Sequence, residues 1–197
     1  NILNQAIELH GLKIIANRDV PVKPDCLGRI ALEAEPHISQ IFIDSCGTEA
    51  RDFETKLFLA RKRAEKQIRE KFGDEGSDFY ICSMSGKTIC YKGMFMAWQL
   101  FAYYPDLADE NMKSALATVH QRYSTNTFPN WRLAQPFRCI AHNGEINTLS
   151  GNRNCMQGRE YKMSCEKFGE YMADCFPALA PGGSDSACFD NVLELLV

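Results

Sequence analysis

The sequence lacks the features that mark several common protein classes. No apolar run approaches the roughly 18–20 residues that a membrane-spanning helix needs, and no signal peptide is visible. No internal repeat or low-complexity segment appears. The formal net charge is only −3, so the chain as a whole has no electrostatic attraction to nucleic acid or to an anionic membrane.

The short motifs of many enzymes are also missing. There is no Gly-x-Ser-x-Gly elbow, no phosphate-binding loop, no Gly-x-Gly-x-x-Gly and no His-Glu-x-x-His metal pair. Cysteine is plentiful, with nine residues, but the number is odd, the spacing is irregular and no two cysteines are separated by two residues. This pattern argues against a disulfide framework and against a zinc ribbon. We therefore expect reduced, mostly buried thiols in a reducing compartment, and none has the local signature of a nucleophile.

Size and composition are those of one globular domain. The chain has 197 residues, of which 45% are hydrophobic and 24% are charged. It begins with Asn1 and stops within an apolar helical pattern that ends at Val197. We therefore expect residues 1–197 to be one partial domain of a longer polypeptide, truncated at both ends.

The pattern of apolar residues predicts helices and strands without regular alternation. This argues against a doubly wound parallel sheet and favours an α+β fold with antiparallel sheets covered by helices. A hairpin is expected around Ser85-Gly86. Helices are predicted at residues 2–9, 52–72, 98–104 and 147–161, and from Ser184 or Asp185 onward. Strands are predicted at residues 12–16, 40–43, 78–83, 88–92, 114–122 and 138–142.

The clearest helix covers residues 52–72, with Asp52 as the predicted N-cap and Gly73 as the terminator. One face is apolar and the opposite face is basic. This basic face could be a nucleic-acid surface or a solvated face that carries Arg61–Glu65 and Glu65–Arg69 pairs, and the solvated face is preferred. The residues of the basic face are Lys56, Arg61, Lys62, Arg63, Lys66, Arg69 and Lys71.

Two candidate site elements lie in the middle of the chain. Arg122 follows a predicted buried strand, and its planar guanidinium suits a carboxylate; the alternative is a structural salt bridge. Asn143 and Gly144 provide a side-chain amide and an unobstructed backbone N–H, which together could stabilise an oxyanion. The alternative for this pair is a type I′ turn.

A third candidate is Asp185, which stands at a helix start beside two glycines. Its carboxylate could receive a substrate ammonium, or it could simply cap the helix. His120 and His142 could act as bases, but an isolated histidine near a strand end is more often structural.

Several blocks of the sequence resemble a known family. The blocks at residues 120–127, 133–138 and 141–148 closely resemble the glutaminase domain of the glutamate synthase large subunit family. The block at residues 183–186 and the pair Asp190-Asn191 are similar as well. The segments at 18–21, 56–61, 79–83 and 91–93 extend the resemblance over nearly the whole chain.

The resemblance implies a class II glutamine amidotransferase, an N-terminal-nucleophile hydrolase with a four-layer αββα sandwich. It implies that Arg122, with the chain around Thr125 nearby, holds the α-carboxylate of glutamine and that Asp185 receives the α-ammonium. Asn143 and Gly144 would stabilise the tetrahedral oxyanion. The family's nucleophile is a cysteine at the mature N-terminus, whereas residue 1 here is Asn. We therefore expect the complete protein to be active and this segment alone to be inactive.

Further expectations come from the same resemblance. Ammonia would be channelled to a downstream synthase domain of the same polypeptide for reductive amination of 2-oxoglutarate. That domain, not residues 1–197, would carry FMN and an iron–sulfur cluster, and a small reductase subunit or ferredoxin would supply electrons. Neither nucleic acid nor a membrane is an expected partner, and the compartment would be the cytoplasm or the plastid stroma. The alternatives are another class II amidotransferase and a non-catalytic glutamine-binding remnant.

Overall fold

The computed structural model describes residues 1–123 and 128–197. Thr125, expected near the substrate carboxylate, lies outside these ranges. Six α-helices are present in the described part of the chain. They are α1 (Ile2–Leu9), α2 (Arg29–Glu33), α3 (Ala50–Phe72), α4 (Gln99–Tyr103), α5 (Leu149–Glu160) and α6 (Asp185–Leu196). Short 3₁₀ helices cover Pro24–Cys26, Gly73–Asp78, Pro105–Ala108, Trp131–Leu133 and Gly169–Cys175.

Two strands form an antiparallel sheet at the start of the chain. Strand β1 covers Lys13–Asp19 and β2 covers Ser39–Asp44, with Lys13 opposite Asp44 and Asp19 opposite Ser39. The strands predicted at residues 12–16 and 40–43 are thus confirmed, and both extend further than predicted. The fold is a mixture of helices with this small antiparallel sheet. The expected four-layer sandwich is not confirmed, because the described residues form one two-stranded sheet.

Four other predicted strands are wrong. Residues 78–83, 88–92, 114–122 and 138–142 adopt no strand conformation. A strand needs a neighbour whose backbone completes the ladder, and these segments bond elsewhere. Cys90 N donates to Ser83 Oγ at 3.2 Å rather than to a backbone carbonyl. In the segment 138–140, three successive backbone N–H groups donate to the Asp190 carboxylate.

The long helix α3 is the core element. Leu57, Ala60 and Ala64 are buried along one stripe, and Gly73, with φ +55°, ends the helix as predicted. The N-cap is Glu49, so the predicted cap at Asp52 is wrong; Asp52 lies in the first turn. Leu57 and Ala60 pack with Ile7 and Leu12 in the first apolar cluster.

The predicted solvated face of α3 is partly wrong, because a buried charge network joins α3 to α6. Arg61 is only 2% exposed and pairs with Glu65 at 3.0 Å and with Glu194 at 2.6 Å. Arg138 contacts the same two carboxylates at 3.3 and 3.9 Å. The Arg61–Glu65 pair is therefore confirmed, but it lies in the protein interior.

Arg63 also departs from a simple solvated face, since it pairs with Asp174 at 2.8 Å. The predicted Glu65–Arg69 pair is not found among the described residues. A second apolar cluster, formed by Leu133, Phe137 and Ala187, lies beside the start of α6. None of the helices in the described ranges is both long and apolar enough to cross a membrane.

Candidate functional site

Hydrogen bonds from His120 connect Arg122 to the segment that contains Asn143. Arg122 N donates to His120 Nδ1 at 3.0 Å. Since Nδ1 accepts, the proton of the neutral imidazole resides on Nε2, which then donates to His142 O at 2.9 Å. His120 therefore fixes its own ring and joins residues 120–122 to residue 142. This is a structural role, as the alternative for an isolated histidine predicted.

Gln135 holds the same backbone position from a second side. Its Oε1 accepts from His142 N at 2.9 Å, and its Nε2 donates to His142 O at 3.1 Å. The side-chain amide thus copies the pairing of a neighbouring strand. Gln135 is 7% exposed, so both bonds are shielded from water. The backbone of His142, the residue directly before Asn143, is consequently held by three hydrogen bonds.

Asn143 and Gly144 follow on the exposed side of this clamp. Gly144 N donates to His142 Nδ1 at 3.0 Å, so the candidate oxyanion donor has an internal acceptor in this structure. Neither residue has a positive φ. A type I′ turn requires positive φ at both central residues, so the turn alternative is wrong. An added Cβ at Gly144 would lie 3.2 Å from His142 Nδ1, which leaves little room for a side chain.

Asp185 lies at the first turn of α6, next to the loop that follows Gly144. Ser184 is the N-cap, and its side chain accepts from Ala187 N, as one of the two sequence predictions had it. Asp185 is 2% exposed. Its Oδ2 accepts from Ile146 N at 3.1 Å, and its Oδ1 accepts from Ser186 N at 2.6 Å. The carboxylate thereby ties α6 to the loop two residues beyond Gly144.

A cavity of about 80 Å³ lies beside Arg122. His120, Gln135 and Lys92 also line it, whereas Asn143, Gly144 and Asp185 do not. Arg122 is exposed, and its guanidinium forms no ion pair with any of the described residues, so the predicted salt-bridge alternative is not observed there. The structure therefore joins the predicted residues through hydrogen bonds but does not place all four on one cavity wall.

Lys92 is a buried cation that sequence reasoning missed. Its Nζ donates to Tyr80 Oη at 2.9 Å, Arg132 O at 2.9 Å and Ala134 O at 2.8 Å. Burial lowers the pKa of this ammonium to about 8. The sequence signal for a buried lysine was its place in the β-branched and aromatic run at residues 88–92. By holding two carbonyls just before Gln135, it supports the clamp on His142.

The described parts of the chain contain no group of three or more His, Cys, Asp or Glu side chains that could hold a metal ion. The candidate site residues provide a guanidinium, a buried carboxylate, a side-chain amide and a backbone N–H, which act through hydrogen bonds and charge. Such a set suits a zwitterionic ligand that also carries a polar carbonyl.

Comparison with known proteins identifies the family. The sequence model for class II glutamine amidotransferases matches residues 1–197. The glutamate synthase (NADPH) large chain of Azospirillum brasilense is 46% identical over 197 residues, which cover 100% of this chain and 13% of that protein. The glutamate synthase (NADH) of Saccharomyces cerevisiae is 46% identical over 94% of this chain and 9% of that protein.

The ferredoxin-dependent glutamate synthase of Pyropia yezoensis is 41% identical over 100% of this chain and 13% of that protein. The chain thus spans about an eighth of the length of these relatives or less. Because the family match covers every residue, the chain belongs to the class II glutamine amidotransferases.

Proposed function

We propose that this chain is the glutamine-hydrolysing part of a glutamate synthase. The family match and the names of the relatives support this assignment. In the proposed reaction, glutamine is converted to glutamate and ammonia, and a synthase domain of the same polypeptide uses the ammonia to aminate 2-oxoglutarate. FMN and an iron–sulfur cluster would belong to that domain, and a reductase subunit or ferredoxin would supply the electrons. The complete amidotransferase domain would have the αββα sandwich.

The proposed roles in substrate binding follow from charge. Arg122 would hold the α-carboxylate of glutamine, because its guanidinium can donate two parallel hydrogen bonds to a carboxylate. Asp185 would receive the α-ammonium. Its carboxylate has the charge opposite to that of the ammonium and lies at the start of α6.

Asn143 and Gly144 would stabilise the oxyanion that forms on the side-chain amide carbon. The attacking group would be the thiol of the family's N-terminal cysteine, with its own α-amine as general base. The sulfur adds to the amide carbon, ammonia leaves, and water then hydrolyses the thioester to release glutamate. Gly144 N–H has to leave His142 Nδ1 before it can donate to the oxyanion. Each such donor contributes about 3–4 kcal/mol to the stability of the transition state.

The hydrogen-bonded path from Arg122 to Asp185 is the single observation that supports this assignment most. Hydrogen bonds connect Arg122 N to His120 at 3.0 Å and His120 to His142 O at 2.9 Å. The backbone then leads to Ile146, whose N–H donates to Asp185 at 3.1 Å. Segments far apart in sequence are thereby held next to one another. The arrangement links the segments that carry the proposed cation and the proposed anion, as a shared amino-acid site requires.

The decisive experiment replaces Arg122 by lysine in the full-length polypeptide that contains these residues. A single ammonium cannot reproduce the two-pronged contact, so KM for glutamine should rise at least tenfold, or about 1.4 kcal/mol, with a smaller effect on kcat. Glutamate release from glutamine is the assay. Arg29→Lys is the matched control, because the Arg29 side chain is 87% exposed and, among the described residues, its ion pair is with Glu33 at 3.8 Å.

The two variants separate the possible outcomes. An unchanged KM in Arg122→Lys, or an equal rise in Arg29→Lys, contradicts the role of Arg122. An absence of glutamate release from the unmodified full-length protein contradicts the proposed function itself.

A further inference from the structure

Two cysteines face each other across a turn. Glu54 holds this turn, since Ser85 Oγ donates to its Oε2 at 2.8 Å and Gly86 N donates to its Oε1 at 2.9 Å. Cys82 and Cys90 lie at equal distances in sequence on either side of Gly86. The two segments form no strand ladder, but they are in contact: Cys82 Sγ donates to Cys90 O at 3.5 Å. The turn therefore brings the two thiols together.

The surroundings of Cys82 lower the pKa of its thiol, whereas those of Cys90 and Cys139 raise theirs. The Cys90 thiol can donate to a Cys82 thiolate, and this contact, with the charges of Lys92 and Arg138, outweighs burial and lowers the pKa of Cys82 to about 6. The same contact, together with burial, raises the pKa of Cys90. Burial raises the pKa of Cys139 to about 11. A thiolate is the nucleophilic form of cysteine, so Cys82 is the member of the pair that should react first.

Both thiols are only partly accessible, which limits the reagent that can reach them. A bulky disulfide is a poor match for this position, whereas a peroxide of two oxygen atoms is small enough. A disulfide needs Cβ atoms about 3.5–4.5 Å apart. Cys82 Sγ already lies 3.5 Å from Cys90 O, so the two side chains are close enough for a movement of the turn to join them.

We propose that Cys82 and Cys90 form a reversible modification site for hydrogen peroxide, which joins them in a disulfide. The Cys82 thiolate attacks one peroxide oxygen, the O–O bond breaks, hydroxide leaves, and Cys82 becomes a sulfenic acid. The sulfur of Cys90 then attacks Cys82 Sγ, the S–O bond breaks, and water leaves with the Cys90 proton. In total, two thiols and one peroxide give one disulfide and two waters. An external dithiol restores both thiols by exchange.

Disulfide formation should also reach the candidate site. In the reduced protein, Cys90 Sγ donates to Pro136 O at 3.6 Å, directly beside Gln135. A Cys90 sulfur bonded to Cys82 has no proton to donate, so this contact is lost. Oxidation should therefore loosen the clamp on His142 and reduce the rate of glutamine hydrolysis. This consequence rests on the proposed function, whereas the disulfide itself does not.

The test treats the native protein with hydrogen peroxide, alkylates the remaining thiols and identifies modified peptides by mass spectrometry. The expected product is one linked peptide pair, 82 with 90, lighter by two hydrogen atoms, which dithiothreitol returns to thiols. In Cys90→Ser, the Cys82 sulfenic acid has no resolving partner and should be trapped by dimedone. Cys46→Ser is the matched control, because Cys46 is exposed and lies on a different loop. It should leave the linked pair unchanged.

Other outcomes overturn the proposal. These are oxidation of the exposed Cys46 or Cys155 before Cys82, conversion of Cys82 to sulfinic acid with Cys90 intact, or a linked pair that appears only in urea. Circular dichroism of each variant confirms that it is folded before oxidation. A second measurement on the unmodified protein, the rate at which each thiol loses reactivity with iodoacetamide during peroxide treatment, tests the pairing without any substitution: Cys82 and Cys90 must disappear together.

Discussion

Gln135 offers the sharpest test of how the candidate site is held in place. Gln135→Met keeps nearly the same volume but removes both hydrogen bonds to the backbone of His142. The carbonyl of His142 retains His120 as a donor at 2.9 Å, so losing the bond from Gln135 Nε2 costs it little free energy. The N–H of His142 loses its acceptor in a partly buried position, which costs about 1–3 kcal/mol. We expect the free energy of unfolding to fall by about 2 kcal/mol, or about 30-fold in the ratio of folded to unfolded protein.

The assay is urea unfolding followed by circular dichroism, with Gln121→Met as the matched control. Gln121 lines the same cavity, but it is exposed and makes no such pair of bonds with any of the described residues. Its replacement should change the unfolding free energy by less than about 0.5 kcal/mol. Equal effects of the two substitutions, or no effect of Gln135→Met, would refute the role assigned to the clamp.

The same variant has a kinetic consequence in the full-length enzyme. Loosening His142 frees the adjacent Asn143 and Gly144 to move, and a misplaced oxyanion donor stabilises the transition state less. We expect kcat for glutamine hydrolysis to fall about tenfold while KM changes little, because neither residue is assigned to ground-state binding. A rise in KM with kcat intact would instead place Gln135 in substrate binding.

Three further predictions concern the buried charges. Arg61→Ala should destabilise the protein by about 3–5 kcal/mol in urea unfolding, because Glu65 and Glu194 each lose an ion-pair partner. The control is Arg69→Ala on the same helix, which should cost under about 1 kcal/mol because Arg69 has no ion pair among the described residues. Burial alone would raise the pKa of Glu65, but Arg61 and Arg138 together lower it below its ordinary 4.5. Glu65 therefore stabilises the fold above that pH and loses this effect as the pH falls further, so Glu65→Gln should reduce the loss of stability between neutral pH and about pH 3. Asp190→Ala should cost about 3 kcal/mol and Asp190→Asn clearly less, since the amide oxygen can still accept from Cys139 N and Ile140 N.

Elements with local signals were predictable from the sequence. The apolar stripe and Gly73 define most of α3, and Ser184 defines the start of α6. The sequence could not show that residues 138–142 form no strand. Their N–H groups donate to Asp190, which lies some fifty residues away in the sequence. Arg61 illustrates the same limit: its position on the helix is readable, but its burial depends on Glu194 at the far end of the chain.

For the candidate site, the sequence identified polar residues but not what positions them. Arg122, Asn143, Gly144 and Asp185 stand out by type and by family resemblance. Gln135 does not, because a glutamine carries no charge and no periodic signal. Its function arises only when the chain brings it opposite His142. Supporting residues of this kind are determined by tertiary contacts, so composition and spacing cannot reveal them.

Helix α6 explains why the segment from residue 138 to residue 146 keeps its shape without a strand ladder. Asp190 accepts three backbone N–H groups at one end of this segment, and Asp185 accepts Ile146 N at the other end. Gln135 supplies the acceptor in the middle, at His142 N. Side-chain oxygens thus replace the carbonyls of a neighbouring strand, and each N–H they satisfy avoids the cost of an unpaired buried donor. Because two of these three acceptors belong to one helix, a shift of α6 must move both ends of the segment together. Asn143 and Gly144 lie between those ends, so the position of α6 controls the geometry of the proposed oxyanion site.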